Sequence, residues 1–414
     1  METGRRVQLN VEQYLEEILG LVEPLGVETL PLAEAAGRVL AEPVTSADRV
    51  PAFANSAMDG FAVRHADLAA GVVLREVADI PAGSSADPAL GPGECARIMT
   101  GAPLPSDADT IVQREIVTEL GEGRIRIDAP PALGTHVRYA GDDLAAGAVV
   151  LPAGHSLDAR ALSLAAACGR PSVVVRQRPV VNVMSTGDEL VPPGAPLARG
   201  QIYESNGVFL AEAARADGAE QRRIARSSDD PDTFAAHLDR VAADADLVIL
   251  TGGVSVGDYD VVRIVLSERA GGTFRHLHLQ PGKPQGWALW TAPALGGVRQ
   301  VPVLALPGNP LSAAVCYQLF ARPLIDRMLG RTDRRPDAPA VVAEGWTSHE
   351  GRRQVVPVNV TVDADGVRRI AKAHPRGSAS HMVSALAMAD ALAFVPEAVV
   401  EVVPGDVLMT RSLP

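Results

Sequence analysis

The period of apolar and polar positions changes several times along the chain. In 11–22, Tyr14, Leu15, Ile18, Leu19 and Val22 recur at helical spacing opposite Glu12, Glu16 and Glu17, which predicts an amphipathic helix. The stretch PAFANSAMDGFAV that begins at Pro51 has no period and reads as a loop, because Asn, Ser and Asp bond their own backbone. Between 68 and 150, short β-like runs at 72–77, 95–99, 111–117, 124–127 and 148–151 are punctuated by Gly, Pro and Asp. They predict a small β-rich domain inserted into an outer one. A helix over 157–168 and a strand over 172–175 then return to the first segment.

From 179 to 329 strands and helices alternate. Strands are predicted at 180–184, 222–225, 247–250 and 301–306, with a β-like run at 273–279. Helices are predicted at 208–216, 231–242, 260–270 and 311–328. That order describes a parallel sheet wrapped by helices. A polar, proline-bounded linker, RTDRRPDAP, follows at 331–339. Beyond it, runs at 340–343, 355–362, 367–371, 392–395 and 407–410 predict a small β-barrel or sandwich.

Composition narrows the function classes. A length of 414 residues exceeds what one core usually supports, so several domains are expected. The net charge of -12 argues against nucleic-acid or general membrane-surface binding, both of which need an extended basic field. Nearly all basic residues are arginines, and only Lys283 and Lys372 are lysines, which singles out Lys283 in QPGKP. Cys95, Cys168 and Cys316 are scattered, so neither a disulfide framework nor structural zinc is expected. With no apolar leader and no run of about 18 apolar residues, the expected location is the cytoplasm.

Three strands of the alternating region end in distinctive loops: STGDEL at 185–190, TGGVSVGDYD at 251–260 and PGNPLS at 307–312. Parallel strands end on one edge, so the three loops would meet, bringing together Asp188, Glu189, Ser255, Asp258, Asp260, Asn309 and Ser312. Hydroxyls and amides suit a phosphate, while carboxylates suit Mg²⁺. Dinucleotide and P-loop fingerprints are absent. GVSVG at 253–257 also satisfies a nucleophile elbow, so Ser255 with Asp260 or Asp326 and His349, His374 or His381 is a rival serine-hydrolase reading. His276 and His278 lack further ligands and read as structural.

PAFANSAMDGFAV, TGAPLP, GDD, STGDELV, YESN, TGGVSVGDYD, PGKP and LPGNPLSA occur in an order that resembles the molybdopterin molybdenumtransferases, the MoeA type that includes the gephyrin E domain. The resemblance implies a split N-terminal domain (1–50 and 144–176), an inserted β-rich domain (51–143), a central doubly wound α/β molybdopterin-binding domain (177–330) and a C-terminal β-barrel (336–414). It implies a homodimer whose cleft combines the central domain of one protomer with the inserted domain of the other. The implied reaction takes adenylyl-molybdopterin, with the upstream adenylyltransferase as a candidate partner that hands it over, together with molybdate. It releases AMP with the help of Mg²⁺.

Carried over on the matching motifs, Asp59, Asp142 or Asp143, Glu189, Asp229 and Asp260 would handle Mg²⁺ or molybdate. Thr100 and Ser255 would position oxyanions, and Lys283 would meet the phosphate. Asn55, Ser56, Gly101, Thr186, Gly187, Asp188, Ser205, Asn206, Gly252, Gly253, Pro307, Gly308, Asn309, Pro310 and Ser312 would line the substrate site. Arg352 and Ser378 would be the C-terminal contribution. Gln280 stands where the family often has lysine. A gephyrin-like scaffold and the adenylyltransferase step itself are the other readings. The first needs a fused domain that this sequence lacks, and the second does not account for the flanking domains.

Overall fold

The computed structural model describes residues 9–254, 260–294, 296–375 and 379–413. Its centre is a six-stranded sheet in the order Ile224–Ser227, Val181–Thr186, Leu247–Thr251, Gly297–Leu306, Pro284–Ala294, Thr273–His276. The first four strands are parallel and the last two antiparallel, so the sheet is mixed and not all parallel as the sequence suggested. The unexpected strand is Pro284–Ala294. It buries Ala288, Trp290 and Ala292 on alternate positions and forms a long hairpin with Gly297–Leu306. Val181–Thr186 and Leu247–Thr251 are buried throughout, as central parallel strands covered on both faces must be.

Those two covers make the sheet doubly wound. One apolar cluster joins Val183, Ile249 and Leu304 to Leu210, Leu311 and Phe320 from the helices of one face. The other joins Val248, Leu250 and Val303 to Phe234, Leu238, Val262 and Val265 from the opposite face. The helix predicted at 311–328 is present and runs without a gap through Pro310–Cys316, a π-helical turn Tyr317–Ala321, and Arg322–Leu329. Pro323 accounts for the π-turn, since it has no N–H for the carbonyl four residues earlier and its ring crowds that turn.

The N-terminal helix Val11–Leu19 starts in a capping box, with Asn10 and Gln13 each bonding the other's backbone N–H. Its buried Tyr14 packs edge-on against Phe320, so this helix joins the apolar cluster of the central sheet. A separate cluster brings Leu40 and Val44 together with Leu151, Leu157 and Val175, segments far apart in sequence. The chain between them forms another six-stranded sheet, containing Gly60–Val63, Glu94–Ile98 and Thr110–Gln113. Gly60–Val63 lies inside the stretch expected to be loop. Close strand contact explains the small residues, because a Cβ at Gly60 would stand 2.1 Å from the Val112 carbonyl oxygen.

At the other end, Ala338–Val342, Arg353–Val362, Arg368–Lys372, Ala391–Val395 and Val407–Ser412 pair in a closed ring, which is the expected barrel. The predicted linker is not slack. Arg331 and Arg334 both bond Asp326, Arg334 also reaches Asp217 at 2.6 Å, and Asp333 accepts from Ser156. These ion pairs tie the segment to two other parts of the chain.

Candidate functional site

In the parallel part of the sheet, the chain runs from Val181–Thr186 outward to Ile224–Ser227, then crosses back to Leu247–Thr251 on the other side. The order reverses between Val181–Thr186 and Leu247–Thr251, and crevices outside such a switch point bind ligands in open α/β sheets. A cleft of about 950 Å³ lies there. It is lined by Thr186, Gly187, Glu189, Asp229, Gly252, Gly253, Asp260, Lys283 and Pro307 to Pro310, among others. The three loops picked out in the sequence thus meet at one edge.

Short-range packing sets their approach. Gly252 has φ +99, and a Cβ there would stand 2.6 Å from the Thr186 carbonyl oxygen. A Cβ on Gly308 would in turn stand 3.2 Å from the Gly252 Cα. Only glycine lets the three strand ends close to this distance. Asn206 stitches two of them, donating to Thr251 Oγ1 at 2.9 Å and to the Gly308 carbonyl at 2.7 Å. Thr251 Oγ1 donates to the Pro307 carbonyl at 3.0 Å.

Three helices begin at this edge: Asn206–Ala216, Val261–Ala270 and Pro310–Cys316. The residues before them, Ser205, Asp260 and Asn309, have side chains suited to capping, yet none caps its own helix. Glu204 takes over for the first, accepting from Gly207 N–H at 2.6 Å and from Ser185 Oγ at 2.9 Å. Asn309 instead donates to Ser380 Oγ at 3.1 Å. Asp260 is the exception, because its Oδ2 is buried with no hydrogen-bond partner among the described residues. A carboxylate oxygen left bare in this way is costly unless something else meets it. Thr186 Oγ1 is likewise buried and unpartnered.

Around Asp260 the electrostatics are crowded. Asp188 and Asp229 each accept the other's backbone N–H at 3.3 Å. Partial burial raises the Asp229 pKa, and the nearby carboxylates of Asp188 and Asp260 push it the same way. Asp188 itself is exposed and outside the cleft lining, whereas Glu189 is in it. Lys283 supplies positive charge in the same cleft. Its loop is held from below, since Gln285 Nε2 donates to the Gly282 carbonyl at 2.7 Å and contacts Cys316 Sγ at 2.8 Å. Burial pushes the Cys316 thiol up to about 12, so it fills space and does not react.

The sequence-predicted residues of the inserted sheet are elsewhere. Asn55, Ser56, Asp59, Thr100, Gly101, Asp142 and Asp143 do not line the cleft. They form their own loop cluster: Asp59 Oδ1 accepts from the N–H and the hydroxyl of Thr100, both at 2.7 Å. These bonds hold the Asp59 carboxyl below the usual carboxylate range. Gly101 N–H donates to the Ser56 carbonyl at 2.8 Å, and Tyr139 N–H donates to Asp142 at 2.6 Å.

Arg352 is half-buried and also outside the cleft. Ser255, Asp258 and Ser378 lie outside the described residues. Of the groups that the hydrolase reading enlisted, Asp326 is engaged with Arg331 and Arg334, and His349 and His374 do not line the cleft. His278 Nδ1 stands 2.9 Å from the Gly351 carbonyl, outside the cleft as well.

From the C-terminal part, Ser380, His381 and Val383 line the cleft. The Ser380 carbonyl accepts from Leu311 N–H at 3.0 Å, which seats this segment on the PGNP loop. Sequence reasoning named His381 only for the hydrolase reading, and it missed Ser380 and Val383, as it missed Tyr203 and Glu204 of YESN. The usable signal was the polar, small-residue composition of 377–381 next to a helix start.

Residues 9–169 match the MoeA N-terminal region (domains I and II), 182–327 a probable molybdopterin binding domain, and 339–409 the MoeA C-terminal region (domain IV). Molybdopterin molybdenumtransferase 2 of Mycobacterium tuberculosis is 39% identical, over 97% of this chain and 98% of its own length. The chain belongs to the molybdopterin molybdenumtransferase family. A molybdopterin molybdenumtransferase of Nostoc is 36% identical, over 94% of this chain and 89% of its own. A molybdopterin biosynthesis MoeA protein from Pyrococcus horikosii superposes with a TM-score of 0.79 at 30% identity, covering 98% of this chain and 99% of that one. The chain is accordingly a transferase of molybdenum cofactor biosynthesis. Among the described residues, no helix is long and apolar enough to cross a membrane.

Proposed function

We propose that the switch-point cleft binds adenylyl-molybdopterin, accepts molybdate and releases AMP, with Mg²⁺ assisting the cleavage of the phosphoanhydride. The observation that carries this reading is that the starts of three helices line the same cleft as Asp260, whose Oδ2 has no hydrogen-bond partner among the described residues. Helix N-termini favour phosphate, and a bare carboxylate oxygen beside them favours a cation that bridges to it.

The donor set fits Mg²⁺. Among the described residues, no three acidic, histidine or cysteine side chains gather into a cage for an ion. Mg²⁺ usually takes one or two carboxylates and completes its shell with water and substrate phosphate. Asp260 with Asp229 or Glu189 would hold it, and the ion would supply charge stabilisation on the cleaved phosphate. Lys283 meets the phosphate as a point charge, and the positive end of the helix Val261–Ala270 favours its oxygens. Thr186 Oγ1 offers a further contact from the crevice floor.

The inserted-domain residues act in a second cleft, that of a partner copy. The same loops that carry Asp59, Thr100 and one of Asp142 and Asp143 also expose Phe53, Met58 and Tyr139, a mix of polar and apolar groups that suits a protein interface. The active unit is therefore a homodimer. Each protomer consists of 1–50 with 144–176, 51–143, 177–330 and 336–414.

One assay separates this reading from the neighbouring step. Purified protein given adenylyl-molybdopterin, molybdate and Mg²⁺ is expected to yield AMP and molybdenum-loaded cofactor. Given molybdopterin and ATP it is expected to form neither adenylyl-molybdopterin nor pyrophosphate. Pyrophosphate and adenylyl-molybdopterin from the second mixture, with no AMP from the first, would overturn the assignment.

A further inference from the structure

Tyr203 stands apart from the other rings of the protein. Among the described residues, the exposed phenyl, phenol and indole rings are Phe53, Tyr139 and Tyr203, and of these only Tyr203 lines the cleft. Its ring is 45% exposed although its backbone is fixed on both sides. Val191 pairs with it in a short parallel ladder, and Ile202 N–H donates to the Glu189 carbonyl at 2.9 Å. The next residue, Glu204, is pinned by Ser185 and by the start of the following helix.

The cleft thus has unlike components. Its lining combines glycines, carboxylates and Lys283 with Leu190, the exposed Ile202 and Tyr203 of the ladder. A fixed, solvent-facing ring beside a phosphate-type wall has a specific use. It offers a planar heterocycle a stacking surface at little conformational cost, because the backbone is already ordered.

We propose that Tyr203 is the stacking platform for the flat heterocycle of the ligand. This rests on the reading of the cleft as the adenylyl-molybdopterin site. Adenine and pterin share the required chemistry, a planar π-face attached to a phosphate-bearing chain. The ladder would fix the ring's position at the cleft while the phosphate lies toward Lys283.

The test uses full-length wild-type protein and the variants Tyr203→Ala and Tyr203→Phe, with Kd measured for AMP, for molybdopterin and for inorganic pyrophosphate. Tyr203→Ala is expected to weaken one ring-bearing ligand at least about fivefold, in line with the loss of one base–aromatic stack. Tyr203→Phe should restore that affinity, and pyrophosphate should bind all three proteins alike. Selective loss of AMP identifies adenine as the stacked ring, and selective loss of molybdopterin identifies the pterin. Equal weakening of pyrophosphate, or unchanged affinity for both ring-bearing ligands in Tyr203→Ala, would overturn the stacking role alone. Failure of the wild-type protein to bind either ring-bearing ligand would instead remove the reading on which it rests.

Discussion

At the carboxyl edge of the central sheet, Asp260 begins a helix without capping it and leaves Oδ2 buried and unpaired. On the inserted sheet, Asp59 accepts two hydrogen bonds from Thr100 and is exposed. Both regions are polar loops at strand ends, and both contain glycines at positive φ. Their difference lies in where the polar groups find partners. The central cleft keeps unmet hydrogen-bonding capacity in a concave space, which suits a ligand that brings its own charges. The inserted loops satisfy one another and present a preorganised surface, which suits a partner docking from outside. Burial and hydrogen-bond partners therefore separate the two roles better than residue type does.

The largest expected effect comes from removing the carboxylates. Asp260→Asn and Asp59→Asn should each lower AMP release by about 100-fold or more, as the loss of metal or oxyanion control does. Their stabilities should part company. Asp260→Asn removes a bare buried charge and should leave unfolding free energy unchanged or raise it by about 1 kcal/mol, read from urea melts. Near wild-type turnover in either variant would remove that residue from the site.

Glycine substitutions sharpen the same contrast at a smaller scale. Gly252→Ala meets both a forbidden φ and the Thr186 carbonyl oxygen, whereas a methyl group at Gly101, at φ +81, would have no atom within 4 Å. Gly252→Ala should cost about 3 kcal/mol and Gly101→Ala about 1 kcal/mol, measured by denaturant unfolding. Equal costs would mean that the close approach of the strand ends is not what selects glycine at position 252.

The smallest effect is in pH dependence, and the two regions should respond in opposite senses. The folded-state pKa of Asp59 is lowered by the Thr100 bonds, so its stabilising contribution is present above the unfolded value and is lost as pH falls through the folded one. Asp229 is raised by partial burial and by its acidic neighbours, so its ionisation opposes folding as pH rises from the unfolded value through the folded one. Carboxyl ¹³C titrations should place Asp59 below and Asp229 above the common reference near 3.8. Thr100→Val should return Asp59 toward that reference. Shifts of the same sign in both residues would erase the distinction.

Much of this was legible in the sequence where a single local rule governs. Strands such as Leu247–Thr251 announce themselves by branched apolar runs, and their ends by glycine. The barrel strands followed from short β-like runs between turns. The reading failed where tertiary contact overrides local pattern. Gly60–Val63 looked like loop because its small residues serve close strand packing, a need that only the neighbouring strands reveal. Pro284–Ala294 was hidden by the proline and glycine at its start. In the site, the motif loops converge as expected, but Tyr203, Ser380 and His381 reach the cleft through folding geometry that no short spacing encodes.

The most direct test of a cleft shared between two copies mixes two inactive proteins. Asp59→Asn and Asp260→Asn chains, unfolded together and refolded as a 1:1 mixture, would form heterodimers with one intact cleft each if the inserted loops of one copy serve the cleft of the other. AMP release should then recover to about a quarter of the wild-type rate, since half the dimers are mixed and each has one working site. Activity that stays at the level of the separate variants would contradict the shared cleft.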